Sequence, residues 1–184
     1  CCIAKDKKTT GLMVAVDATC SGLQILAGLA RDKSTAELVN VVPSSKPSDA
    51  YKAVAEKAKE FLPTYMHRWM NRSVCKRTVM TIPYNATKDS SRKYIREALL
   101  EEGIDPTKDE LTQVVNAVYN SMDAIVPGPM QVMRWIKKHV GLYIRNGAKE
   151  VEWVTPSGFI VNQRRDDIET KPVSYTHLRA HETP

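Results

Sequence analysis

Apolar residues in this chain recur mostly at helical spacing, and two stretches depart from it. The first is Leu12 to Val16, a short apolar run that stops at Asp17; its length and flanks predict a buried strand. Ala18 to Gly22 then turns the chain. LQILAGLARD follows, with Leu23, Leu26, Ala27 and Ala30 on one face, the period of an amphipathic helix. Asp17 therefore stands at the carboxyl end of a strand, on a strand–turn–helix corner. The next segment, AELVNVVPSS, reads as a connector with room for a short extended piece. The second departure is VEWVTPSGFIVNQ, which alternates and carries Pro156-Ser157-Gly158 at its centre, a hairpin signal.

Between these two stretches the pattern is helical. Ser48 opens a helix through SDAYKAVAEKAKEFL that stops near Pro63, and Tyr65 to Trp69 forms another short one. Arg72 to Ile82 is the next. Pro83 ends it, because the residue before a proline disfavours the α region. Ser90 to Glu102 is closed by Gly103. Asp105-Pro106 starts a long stretch through Met122, and Pro127-Gly128-Pro129 breaks it. Met130 to Arg145 continues, capped at Gly147. The expected fold class is α/β and predominantly helical, with one buried strand, one hairpin and no internal repeat.

Composition adds limits. An apolar content of 42% and a charged content of 26% over 184 residues suit a globular domain with a real core. The net charge of +6 favours a polyanionic partner. No apolar run approaches a membrane span, so no membrane role is expected, and no signal peptide is visible. The first residues, CCIAKDKKTTG, lack an initiator Met and suggest truncation. Cys1, Cys2, Cys20 and Cys75 form no CxxC pair, which argues against a zinc site or disulfide framework and for a reducing compartment. Trp69, Trp135 and Trp153 are expected to be packing anchors rather than base-stacking platforms.

VSYTHLRAHETP, at the far end, differs in texture. His177 and His181 at i, i+4 imitate a metal-binding helix face, but the segment resembles a translated sequencing adapter. Residues 172–184 are therefore set aside as non-native, with genuine sequence ending near Lys171.

Two groups of residues can carry chemistry. Asp17, at the end of a buried strand, is costly unless it is paired, capping a helix or bound to a metal. Its carboxylate with the Ala18 carbonyl offers hard oxygen ligands of the kind Mg²⁺ takes. The second group is RSVCKRTVMTIPYNA. On a helix, Arg72, Lys76 and Met80 form one stripe at i, i+4 spacing, and Tyr84 lies about 12 Å beyond Lys76. Arg72 can clamp phosphate oxygens, Lys76 adds a point charge, and the helix N-terminus adds partial positive charge at the same end. Met80 can pack against a base, and Tyr84 offers a ring and a hydroxyl. A solvated basic turn on a core helix would show the same spacing.

VAVDATCSGLQ followed by RSVCKRTVMTIPYNA resembles the two central motifs of the single-subunit DNA-directed RNA polymerases of bacteriophages and mitochondria. The resemblance runs from about Gly11 to Gln163 and includes WVTPSGF. It implies a partial palm over 1–45, helical fingers over 46–148 and a hairpin returning to the palm over 149–171. It further implies that Asp17 is the first catalytic and metal-binding aspartate, with the Ala18 carbonyl assisting, in an enzyme using two Mg²⁺ ions. Arg72, Lys76, Met80 and Tyr84 would bind the incoming nucleotide, and Tyr84 would check the ribose 2′-hydroxyl. Gly22 stands where related DNA polymerases have a glutamate that blocks that hydroxyl, and so would accommodate a ribose.

The implied partners are a DNA template, nascent RNA and ribonucleoside triphosphates, in a monomeric parent enzyme. The implied setting is the cytoplasm of a phage-infected bacterium, with the mitochondrion as the alternative. Three departures accompany the match. Asn85 replaces a usual glycine, Asp89, Ser90 and Ser91 replace aromatic and glycine residues of a template-handling loop, and no His-Asp pair supplies a second catalytic aspartate. The fragment is therefore expected to be inactive alone. A superfamily-related DNA polymerase, or a non-catalytic basic helical module that binds nucleic acid, are the other readings.

Overall fold

Helix α1 (Ser21–Ala30) begins where the corner turns, and Leu23, Leu26 and Ala27 face inward as their spacing predicts. The computed structural model describes residue 13 and residues 19–164. The expected strand before Asp17, apart from an exposed Met13, and the proposed non-native tail both lie outside the described residues. The chain divides into two units, the first ending at Ile136 and the second starting at Lys137.

The first unit is helical. After α1 come α2 (Lys33–Leu38), α3 (Ala50–Lys59), a 3₁₀ turn (Thr64–Trp69), α4 (Arg72–Thr81), a second 3₁₀ turn (Ile82–Tyr84), α5 (Lys88–Glu101) and α6 (Lys108–Ile125). α7 (Pro127–Arg145) starts in this unit and the boundary falls inside it. α3 packs on α6 and α4, and α5 packs on α4 and α6. Each helix contributes residues three or four apart to one core: Val54 and Ala58 from α3, Val74, Cys75 and Val79 from α4, Ile95 and Leu99 from α5, and Val114, Val118 and Met122 from α6. Fully burying an aliphatic side chain of this size stabilises by about 1.5–3 kcal/mol, so the shared core accounts for the cohesion of the helices.

Three expectations change. The connector at AELV is instead the six-residue helix α2. Its signal is local: the Asp32 carboxylate accepts the Thr35 backbone N–H at 3.1 Å and the hydroxyls of Ser34 and Thr35 at 2.7 and 2.6 Å, closing the helix N-terminus. The segment PGP is not a break but the first turn of α7, where a proline loses no hydrogen bond because its N–H would be an orphan anyway. The break falls one residue earlier, at Val126. Of the three tryptophans, only Trp69 is buried; Trp135 and Trp153 are exposed. The other helices match within a few residues. α6 begins with a capping box in which Thr107 and Glu110 satisfy each other's backbone N–H groups.

The second unit holds the end of α7 and an antiparallel hairpin of β1 (Glu150–Val154) and β2 (Ile160–Arg164), with Val151 opposite Gln163 and Trp153 opposite Val161. Gly158 turns the loop at φ +82°, as the hairpin signal predicts. A groove of about 730 Å³ between α7 and β1 is lined by His139, Tyr143 and Glu152 among others; no predicted site residue lines it.

Asp32 reaches further than its own helix. It also accepts the backbone N–H of Gly128, 96 residues away, at 3.1 Å. Gly128 must be glycine for this approach, since a Cβ there would lie 2.6 Å from Asp32 Cβ. Burial alone would raise the Asp32 carboxyl, but the hydroxyls of Thr35 and Ser34 and the N–H groups of Thr35 and Gly128 hold it at about 2, below the ordinary 3.8. Its stabilising contribution is therefore complete above about pH 4 and fades as pH falls from there through about 2. Asp32→Ala is expected to cost about 1–2 kcal/mol in urea unfolding at neutral pH. The gap between variant and parent should narrow between pH 4 and pH 2; a gap independent of pH would contradict this account.

Candidate functional site

Helix α4 presents two faces. Val74, Cys75, Thr78 and Val79 are buried, and Arg72, Lys76 and Met80 are exposed along one stripe. Burial pushes the Cys75 thiol up to about 12, so it acts as a small core residue and not as a nucleophile. Asn71 caps the helix by accepting the Val74 N–H at 3.0 Å, which fixes its positive end beside Arg72. The stripe expected from the spacing is thus real, and solvent lies over it.

The far end of α4 is shaped by Pro83. The helix stops at Thr81, and Ile82–Tyr84 tighten into a 3₁₀ turn that carries Tyr84 out to the surface, 67% exposed. Asn85 follows in the left-handed region at φ 64°, a conformation asparagine tolerates better than most residues, so the usual glycine is not required there. The Asn85 N–H closes back onto Ile82 at 2.9 Å. The next carbonyl, of Ala86, accepts the Tyr119 hydroxyl at 3.1 Å, pinning the turn to α6.

Both ends of α4 are tied to the corner that follows Asp17. At the Tyr84 end, Gly22 is buried and a Cβ on it would sit 2.7 Å from Pro83 Cβ and 3.2 Å from the Tyr84 ring. The Ser21 hydroxyl lies 3.0 Å from the Tyr84 hydroxyl. At the Arg72 end the link is indirect. Arg72 Nε donates to Asp49 at 2.7 Å, and the guanidinium lies 5.3 Å from the Tyr51 ring centroid. Tyr51 in turn meets the Cys20 thiol; burial and that contact raise the Tyr51 phenol well above its ordinary range. Burial raises Asp49 too, but the Arg72 guanidinium and the Lys52 N–H it caps outweigh this and hold its carboxyl below the ordinary value.

The structure therefore brings Gly22, Arg72, Lys76, Met80 and Tyr84 into one unit and joins both ends of the stripe to the same corner. Asp17 and Ala18 lie outside the described residues. Among the described residues no three His, Cys, Asp or Glu side chains are grouped to hold a metal ion. Lys76 is exposed and makes no ion pair among the described residues. The sequence reading missed Ser21, Asp49 and Tyr51. Asp49 does carry a cap signal before α3, but nothing local announces a pairing 23 residues away. The departures at Asp89, Ser90 and Ser91 also find structural uses. Asp89 pairs with Arg92, the Ser90 N–H is capped by Thr87, and Ser91 is buried against the Tyr119 hydroxyl.

The close approach at Gly22 has a measurable consequence. Gly22→Ala is expected to cost about 1–3 kcal/mol in urea unfolding, because backbone and a proline ring must shift to admit the methyl. Gly28→Ala, on the same helix with nothing within 4 Å, should instead stabilise by about 0.5–1 kcal/mol. Equal effects at the two positions would show that the contact does not constrain the fold.

Residues 4–182 match the family of DNA-dependent RNA polymerases. The chain is similar to the mitochondrial DNA-directed RNA polymerase of Mus musculus, 31% identical over 83% of this chain and 14% of the relative. It is also similar to the Homo sapiens mitochondrial enzyme, 30% identical over 90% of this chain and 15% of the relative. The T7 RNA polymerase of Escherichia phage T7 is 26% identical over 83% of this chain and 23% of the relative. The chain thus spans less than a quarter of the length of each of these relatives.

Proposed function

We propose, because the chain belongs to the DNA-dependent RNA polymerase family of the single-subunit, phage and mitochondrial type, that it forms part of the palm and most of the fingers of such an enzyme. The parent enzyme joins ribonucleoside triphosphates to an RNA 3′ end, directed by a DNA template. The 3′-oxygen attacks the α-phosphorus, a new P–O bond forms, and pyrophosphate leaves with the electrons of the broken bond. The observation that carries this reading is the exposed stripe of α4 with both ends tied to the corner after Asp17.

The residues divide the work along the helix. Arg72 and Lys76 receive the triphosphate at the positive end of α4, where backbone dipole and side-chain charge add. The Arg72–Asp49 bond uses Nε, which leaves the two terminal nitrogens of the guanidinium out of it for phosphate oxygens. Lys76 and Tyr84 are separated by five α-helical and three 3₁₀ steps, about 13 Å along the axis, a span suited to the distance from phosphate to sugar. Met80 packs against the base, and the Tyr84 hydroxyl inspects the ribose 2′-hydroxyl. Gly22 leaves the space beside it to Pro83 and Tyr84, so the place where a longer side chain would stand is held by the residue that reads the sugar.

A carboxylate and a carbonyl, the donors of Asp17 and Ala18, are the hard oxygen ligands that suit Mg²⁺, and these two residues would hold it. Two such ions, when bound, lower the charge cost of attack and departure. The chain contains no His-Asp pair to supply a second catalytic aspartate, so the 184 residues alone are inactive. The parent is a monomer. The mitochondrion, the alternative to an infected bacterial cytoplasm, has the support of the relatives named mitochondrial.

Lys76 is the cleanest test, since it makes no ion pair among the described residues. In the full-length polymerase carrying this segment, Lys76→Ala should lower kcat/KM for nucleotides about tenfold to a hundredfold, the loss of one charge-assisted bond to phosphate. The same substitution should leave stability within about 0.5 kcal/mol. Unchanged nucleotide kinetics would refute the phosphate-binding role.

A further inference from the structure

Tyr84 is unusual in being widely exposed and yet fixed at two points. The residue is 67% exposed, but the hydroxyl end of its ring faces Gly22 at contact distance and the hydroxyl itself meets Ser21 at 3.0 Å. An exposed tyrosine on a 3₁₀ turn ordinarily explores several rotamers, and ordering it costs side-chain entropy. Here a flat backbone seat removes part of that freedom and a hydrogen bond removes more.

We infer that Ser21 is a positioning residue for sugar selection: its hydroxyl holds the Tyr84 hydroxyl at the point where the ribose is read. This rests on the proposed role of Tyr84. The donor and acceptor inventory supports it. A phenol has one hydrogen to donate and can accept from others, and Ser21 engages only one of these. If Ser21 donates, Tyr84 keeps its own hydrogen for the ribose; if Tyr84 donates to Ser21, it accepts from the 2′-hydroxyl. Either arrangement presents a polar group of fixed direction, and a deoxyribose leaves that group without a partner. Sites built to pair with a hydroxyl reject the analogue that lacks it for this reason.

Position and size also favour serine. Ser21 is the first residue of α1, and its neighbour Gly22 brings the backbone close enough for a side chain of one carbon to reach Tyr84. The two residues thus form one device, with Gly22 supplying the approach and Ser21 the polar contact. Cys20 precedes them in the left-handed region at φ 58°, an unfavourable conformation for a side-chain-bearing residue that the packing around the corner maintains.

The test uses the full-length polymerase and the ratio of kcat/KM for a ribonucleotide over its deoxyribonucleotide. Ser21→Ala should reduce that ratio about threefold to tenfold, and Ser21→Thr, which keeps the hydroxyl, should restore most of it. Tyr84→Phe should reduce it at least as far, and the Ser21→Ala/Tyr84→Phe double variant should match Tyr84→Phe alone within about twofold. Thermal unfolding of Ser21→Ala should coincide with the parent. A parental ratio in Ser21→Ala, or losses that multiply in the double variant, would overturn the inference while leaving Tyr84 as the sugar sensor. A parental ratio in Tyr84→Phe would overturn the sensor role itself, and with it the inference.

Discussion

The approach of α1 to the end of α4 governs the site. At Gly22 the Pro83 ring comes so close to the α1 backbone that even a methyl group would overlap it. Each neighbouring feature serves that approach. Pro83 ends the α-helix at Thr81, which stops α4 from running past the corner. The 3₁₀ turn then swings Tyr84 over Gly22, and the left-handed Asn85 redirects the chain into α5 before it leaves the corner. Ser21 and Tyr84 are 63 residues apart in sequence, and their 3.0 Å contact exists only because this approach holds.

Helix caps perform a second task in this fold, because a carboxylate can accept more bonds than one cap requires. Asp49 closes the N-terminus of α3 and also receives Arg72. Asp32 closes α2 and also receives the N–H of Gly128 at the start of α7. In each case a local, sequence-adjacent bond orients the group, and the remaining lone pairs reach across the fold at little further entropic cost. The Arg72 bond is exposed and modest in strength. Its effect is directional: with Tyr51 beneath and Asp49 beside it, the guanidinium has a defined place at the head of the stripe.

How much of this could be read beforehand follows from the range of each interaction. Amphipathic periodicity identified α1, α3, α4, α5 and α6, because ten or more residues repeat the pattern. It failed for α2, whose six residues complete fewer than two turns and whose only signal is the Asp32 cap. It also took the prolines of α7 as a break, although a first turn accepts them. The stripe of Arg72, Lys76 and Met80 was legible because i, i+4 spacing is a local rule. The bonds of Ser21 to Tyr84 and of Asp49 to Arg72 were not, since no local rule specifies which distant side chain a polar group will meet. Trp135 and Trp153 show the limit of residue type as a guide: aromatic size suggests burial, but exposure depends on what packs beside them.

Register then connects the core to the chemistry. On α4 the buried set of Val74, Cys75, Thr78 and Val79 alternates with the exposed set of Arg72, Lys76 and Met80. At about 100° per residue, any rotation that moved Lys76 would drag Cys75 and Val79 from the core. A shift of one residue toward the Cys75 position would bury Lys76, where an unpaired ammonium is far costlier than any exposed contact is favourable. The exposed groups of the stripe thus need few strong bonds of their own. Their orientation is set from beneath by apolar packing, and at the two ends by contacts that converge on one corner.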